Sequence, residues 1–110
     1  LPDRTVESSR CISYATIEHR GPLEPYVAEH LHGNAFGCDI CQEVCPWNAR
    51  PPEPHPAFVP RAEYRATPVT DLLRFSQRDF SALFRKSAVK RARLAGMRRN
   101  VEALTTDRQL

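Results

Sequence analysis

Large apolar side chains are scarce in this 110-residue chain: hydrophobic residues make up 41% and aromatic residues 8%, against ten prolines. A chain this short buries a smaller share of its surface than a larger one does. The expectation is one small domain or less, without a large self-sufficient core. No uncharged stretch approaches the length of a membrane span. The opening Leu1-Pro2-Asp3-Arg4 has neither an initiating Met nor the pattern of a signal peptide. The sequence therefore reads as a soluble, unsecreted piece of a longer protein with no membrane partner. No internal repeat of solenoid length is present, although a single helical pair of such a repeat would look like the second half of this chain.

Cysteine is concentrated where other features are thin. Of Cys11, Cys38, Cys41 and Cys45, three fall within eight residues. Disulfide frameworks of secreted domains usually spread their cysteines along the chain, so a metal that needs several thiolates explains the cluster better. Cys38-Asp39-Ile40-Cys41-Gln42-Glu43-Val44-Cys45-Pro46 is C-x2-C-x3-C-P, the tail of the bacterial iron–sulfur run. In that run the cysteine before proline ligates the other of two clusters, and Pro46 biases Cys45 away from helical geometry. Cys11, 27 positions before Cys38, is the detached fourth ligand source. Tetrahedral zinc is the rival, since four thiolates suffice for it, but zinc ribbons pair one C-x2-C with a second and no second pair exists here. Asp39, Gln42 and Glu43 read as a solvated loop face. His19, His30, His32 and His55 read as surface histidines, and Trp47 as a packing residue that could shield the loop.

The elements around this motif are mostly helical. Cys11–Ile17 alternates and is expected to be extended. Leu23, Val27 and Leu31 share a helix face after Pro22 and before a Gly33 stop, which predicts a helix over 23–32. Seven of the ten prolines lie between Pro46 and Pro68, making 49–69 a stiff linker. Beyond it, Thr70 before Asp71 reads as a cap, and Ser76 with Asp79 as a capping box for a helix bearing Phe80, Leu83 and Phe84. Ser87–Ala95 should stop at Gly96, and Met97, Val101 and Leu104 mark a last helix fraying by Asp107. Arg85, Lys86, Lys90, Arg91, Arg93, Arg98 and Arg99 supply seven of the sixteen cations, with no acid between Asp79 and Glu102. Such a run attracts phosphate, or is simply a solvated face.

The segments Cys11-Ile12-Ser13-Tyr14-Ala15-Thr16-Ile17-Glu18 and Gly37-Cys38-Asp39-Ile40-Cys41-Gln42-Glu43-Val44-Cys45-Pro46-Trp47-Asn48 resemble epoxyqueuosine reductase. The resemblance continues into Phe84–Ala92 and Arg98-Arg99-Asn100. It implies a cytoplasmic, monomeric oxidoreductase that reduces epoxyqueuosine to queuosine in tRNA, with two 4Fe-4S clusters taking electrons from an external donor to cobalamin. In that reading Cys11, Cys38 and Cys41 ligate the second cluster, and Cys45 crosses to the first. Ser13 and Arg20 lie where the cofactor and substrate surfaces approach, and Lys86, Lys90, Arg91, Arg93, Arg98 and Arg99 face tRNA. The cobalamin domain, with its catalytic acid, and the complete upstream cysteine run have no counterpart in these residues, so no catalytic residue is assigned and the segment alone should be inactive. The fold class implied is mainly α: 1–48 the second half of a ferredoxin-like double-cluster domain, 49–69 linker, 70–110 basic HEAT-like helices. The competing class is a non-enzymatic module, ferredoxin-like or zinc-bearing, that binds nucleic acid.

Overall fold

Apolar positions 94, 97, 101 and 104 recur at intervals of three and four, the spacing that lines one side of a helix. In the computed structural model, which describes residues 2–106, these residues lie on the longest helix, Arg93–Thr106, and all four are buried. Five α-helices occur among the described residues: α1 (Pro25–Glu29), α2 (Ile40–Glu43), α3 (Ala62–Ala66), α4 (Gln77–Leu83) and α5 (Arg93–Thr106). Tighter 3-10 turns join them, and no strand occurs among the described residues.

Helix α5 serves two apolar clusters. Leu94, Met97 and Val101 pack with Leu72, Phe80, Phe84 and Ala92. One turn further on, Leu104 packs with Ala15, Val27 and Leu31. Ala35, just ahead of the cysteine loop, touches both. The amino-terminal segment that carries Cys11 is therefore built onto the carboxy-terminal helix. Pro25 opens α1, where its missing N–H costs nothing, and Val27 and Leu31 turn inward with Leu23 beside them, as their spacing predicts.

The capping box is present in full. Ser76 Oγ accepts from the Asp79 N–H at 3.1 Å, and the Asp79 carboxylate accepts from the Ser76 N–H at 2.9 Å. The Ser76 N–H, and after it the Ser76 hydroxyl donating at 2.8 Å, hold the Asp79 carboxyl below the usual aspartate range. A depressed folded pKa supplies stability that is present above the unfolded value of about 3.9 and lost as pH falls through the folded one. Ser76→Ala should cost about 1 kcal/mol near neutral pH. Urea titrations down to pH 2 should also show a shallower acid dependence in that variant than in the parent.

Several expectations change. Cys11 is extended, but Ile12–Ile17 is helical: Ile12 and Ser13 continue into a wide π-helical turn at Tyr14–Glu18. The Thr16 hydroxyl donates to the Ile12 carbonyl at 2.8 Å, occupying the acceptor that the Thr16 N–H would take in an α-helix. The helix expected over 23–32 is shorter, closing at Glu29, although Gly33 does adopt a positive φ of 80°. The break expected at Gly96 falls instead at Arg93, whose φ is +63°; α5 then runs straight through Gly96. Ala92, just before that break, is 1% exposed and packs in the core. Thr70 lies inside a 3-10 turn, Val69–Leu73, capped by Pro68. Within 49–69, a 3-10 turn at Pro56–Phe58 and α3 interrupt the proline-rich stretch. Asp107 lies outside the described residues.

Candidate metal centre

The loop that carries three of the four thiols begins at Gly37, whose φ of +73° is a left-handed conformation that glycine adopts without strain. Cys38 follows, and Asp39 leads into α2, which carries Cys41. Cys45 sits in extended conformation at the entry to the Pro46–Asn48 turn, as the following proline demands. Asn48 folds back on the loop, its side-chain amide donating to the Gln42 carbonyl and to Gln42 Oε1, both at 3.0 Å. All four cysteines are free thiols; Cys11, Cys38 and Cys45 are half-buried and Cys41 is exposed. An open hollow of about 400 Å³ lies beside Cys38, lined by Asn34, Phe36, Gly37, Ile40 and Glu43 among others.

This donor set fits an iron–sulfur cluster. Soft thiolates are the ligands that such clusters take. Among the described residues no three His, Cys, Asp or Glu side chains are gathered to hold a metal ion, so the fit rests on the chemistry and chain spacing of the thiols. The histidines are engaged locally: His19 Nε2 bonds the Pro22 carbonyl and His30 Nδ1 the Tyr26 carbonyl, while His55 Nδ1 accepts from the Ala57 N–H. Trp47 is 94% exposed and so does not serve as the packing residue expected of it.

The Cys11 segment is tied to this loop by side chains that the motif does not advertise. Ser13 Oγ donates to the Cys38 carbonyl at 3.2 Å, and the Gly37 N–H donates to Thr16 Oγ1 at 3.0 Å. From α5, the fully buried Asn100 sends its amide to the carbonyls of Thr16 (2.9 Å) and Ala35 (2.8 Å). Arg99 donates to the carbonyls of Ala15, His19 and Gly21 and twice to Asn100 Oδ1. A guanidinium has five N–H donors, and all five of Arg99 are used within the chain. Partial burial, and after it the charge of Arg20, lowers the Arg99 pKa.

The other basic candidates divide in the same way. Arg20 donates to the carbonyls of Ile17, Arg91 and Ala92. Arg91 forms a two-pronged ion pair with Glu18, which lowers the Glu18 pKa and raises that of Arg91. Arg98 donates to the Phe75 carbonyl, and its Nε is buried without a partner. Lys86, Lys90 and Arg93 are exposed, as is Arg85. Thr16, Asn48 and Asn100 were the residues that pattern reading missed. All three stand within the strings that carry the resemblance, which was the available signal.

Comparison with known proteins agrees with this geometry. Residues 1–48, which include all four cysteines, match the 4Fe-4S double cluster binding domain. The chain thus carries an iron–sulfur domain of the double-cluster class on a helical framework. More particularly, about nine-tenths of it is similar to curated epoxyqueuosine reductases. It is 41% identical over 101 residues to that of Cellulophaga algicola, covering 90% of this chain and 33% of the relative. For the Synechocystis protein the figures are 39% identity, 89% of this chain and 35% of the relative. For that of Francisella cf. novicida they are 34%, 91% and 28%. The chain thus spans about a third of the length of the curated relatives it matches. No solved structure matches it significantly. No helix among the described residues is long and apolar enough to cross a membrane.

Proposed function

We propose that this chain is the cluster-bearing segment of an epoxyqueuosine reductase, a cytoplasmic enzyme that reduces epoxyqueuosine to queuosine in tRNA. The observation that carries the reading is the C-x2-C-x3-C-P loop folded against a helical Cys11 segment within a matched double-cluster domain. Cys11, Cys38 and Cys41 would hold one 4Fe-4S cluster, with Cys45 directed to its neighbour. The clusters would pass electrons, one at a time, from an external donor toward cobalamin bound elsewhere in the complete enzyme. This chain's own contribution is to hold the thiolates together, those of Cys11, Cys38 and Cys45 half-buried and that of Cys41 exposed. No residue here is assigned to cobalamin chemistry, and the segment by itself should not turn over.

A basic surface serves the tRNA in this reading. Lys86, Lys90 and Arg93, with Arg85, are exposed cations on a stretch free of acids, whereas Arg91 pairs with Glu18, Arg98 donates to the Phe75 carbonyl and Arg99 spends its donors inside the chain. Phosphate contacts of this kind position a nucleic acid without reading its bases.

A chimera tests the proposal: this chain replaces the matching third of the Synechocystis relative, and tRNA is assayed for queuosine. Conversion above a control with the segment deleted is expected. In the same chimera, Lys90→Glu with Arg93→Glu should weaken tRNA binding and flatten its dependence on salt. A folded, iron-loaded chimera that converts nothing would overturn the assignment.

A further inference from the structure

The two ligand-bearing segments meet through very few bonds, and α5 supplies the residue between them. Cys11 opens the wide turn and Cys38 opens the loop. Thr16 lies in the first segment, Gly37 in the second, and both they and Ala35 are reached by one buried network. Thr16 is 0% exposed and its hydroxyl works in both directions, donating to the Ile12 carbonyl and accepting from the Gly37 N–H. Asn100, also 0% exposed, bonds the Thr16 carbonyl on one side and the Ala35 carbonyl on the other. Arg99 holds the Asn100 oxygen with two N–H groups, at 3.0 and 2.8 Å, which fixes which way that amide faces. Its other three donors lock the carbonyls of Ala15, His19 and Gly21.

We infer that Thr16, Arg99 and Asn100 form a clasp that sets the position of Cys11 relative to Cys38, and that these positioning residues govern whether a cluster is retained. The inference rests on the reading that the thiols ligate a cluster. A cluster bridging two segments is held only as firmly as the segments are held to each other, because a ligand that drifts exposes iron to water and to competing ligands. Apolar packing also joins the two segments, through Ile12, Ala15 and Ala35, but Cys41 and the turn around Cys45 are largely exposed. The buried hydrogen bonds carry directional information that apolar contacts lack, and each buried partner left unpaired carries a desolvation cost. The two neighbouring arginines also differ from Lys90 in kind: Arg99 is an internal tether, not part of a phosphate-binding face.

Thr16→Val and Thr16→Ser decide the matter. Valine keeps the shape and loses the hydroxyl, whereas serine keeps the hydroxyl and loses a methyl group. Each variant, with Asn100→Ala, is prepared as the 110-residue chain and reconstituted anaerobically with iron and sulfide. Retained iron, the electron paramagnetic resonance spectrum of the reduced cluster, helix content and hydrogen exchange at the Gly37 amide are measured. Thr16→Val should raise Gly37 exchange about tenfold, the equivalent of one hydrogen bond. It should also lower retained iron several-fold and alter the spectrum, with helix content unchanged. Thr16→Ser should behave as the parent, and Asn100→Ala should shift in the direction of Thr16→Val. If Asn100→Ala fails to fold, the valine and serine pair still discriminates. A purely packing role would give the reverse order, with valine tolerated and serine not, and would overturn the inference. So would parental iron, spectrum and Gly37 protection in Thr16→Val. A parent chain that takes up no iron at all overturns the cluster reading itself, and this inference with it.

Discussion

Serine at Cys38 or Cys41 is expected to strip the reconstituted chain of its iron, reducing the amount retained after desalting by about tenfold or more. The thiolate is the ligand, and a serine hydroxyl at the same place is both harder and far less acidic, so it does not replace sulfur on iron. Even residues that only support metal ligands commonly cost about ten- to a hundredfold in affinity when removed, and direct ligands should cost no less. Asp39→Asn provides the control. Asp39 is exposed, next to Cys38 in the chain, and lies outside the ligand spacing. It should keep parental iron and parental absorbance. Equal iron in Cys38→Ser, Cys41→Ser and the parent would mean that the loop does not hold the metal.

Phe80→Ala should be the most damaging substitution in the apolar core. Phe80 is 1% exposed and packs against the Phe84 ring at 5.0 Å between centroids, within the cluster that also takes Leu72, Met97 and Val101. Truncating a buried phenylalanine costs about 3–5 kcal/mol, the sum of lost transfer energy and the cavity left behind. Stability for domains of this size is about 5–15 kcal/mol in total. A loss that large should lower the urea midpoint by roughly 2 M, at a slope of about 1–3 kcal/mol/M. Phe58→Ala, at a ring that is 82% exposed, should stay within about 0.5 kcal/mol of the parent. Similar midpoints for the two variants would show that α4 does not pack as described.

Local signals were the ones that could be read from sequence. The ligand spacing, the Ser76–Asp79 box and the stripe Met97, Val101, Leu104 each depend on residues a few positions apart, and each is present. Long-range polar contacts left no such trace. Thr16 and Asn100 are 84 positions apart, and nothing in either neighbourhood announces that their bond exists. The same distance effect shaped the basic tail. Arg98 and Arg99 look like Lys90 in a string of letters, but backbone carbonyls from Ala15 to Phe75 take up their donors. The turn after Cys11 was unreadable for a different reason. Alternating residues suggest a strand, whereas the segment forms a wide helical turn in which the Thr16 hydroxyl bonds back four residues. At Arg93 a positive φ on an arginine overrode the expectation that glycine three residues later would carry the break.

The central claim, that this cysteine loop holds an iron–sulfur cluster, is tested most directly by metal and sulfide analysis of the chain after anaerobic reconstitution, with a Mössbauer spectrum of the product. Four thiols cannot complete two sets of four ligands, so the account predicts a brown protein with equimolar iron and acid-labile sulfide and no more than one 4Fe-4S cluster per chain. Cys45 would then take the place of the ligand that the complete enzyme supplies. A colourless product that binds one zinc ion in preference to iron, or a stable yield of two clusters per chain, would contradict it.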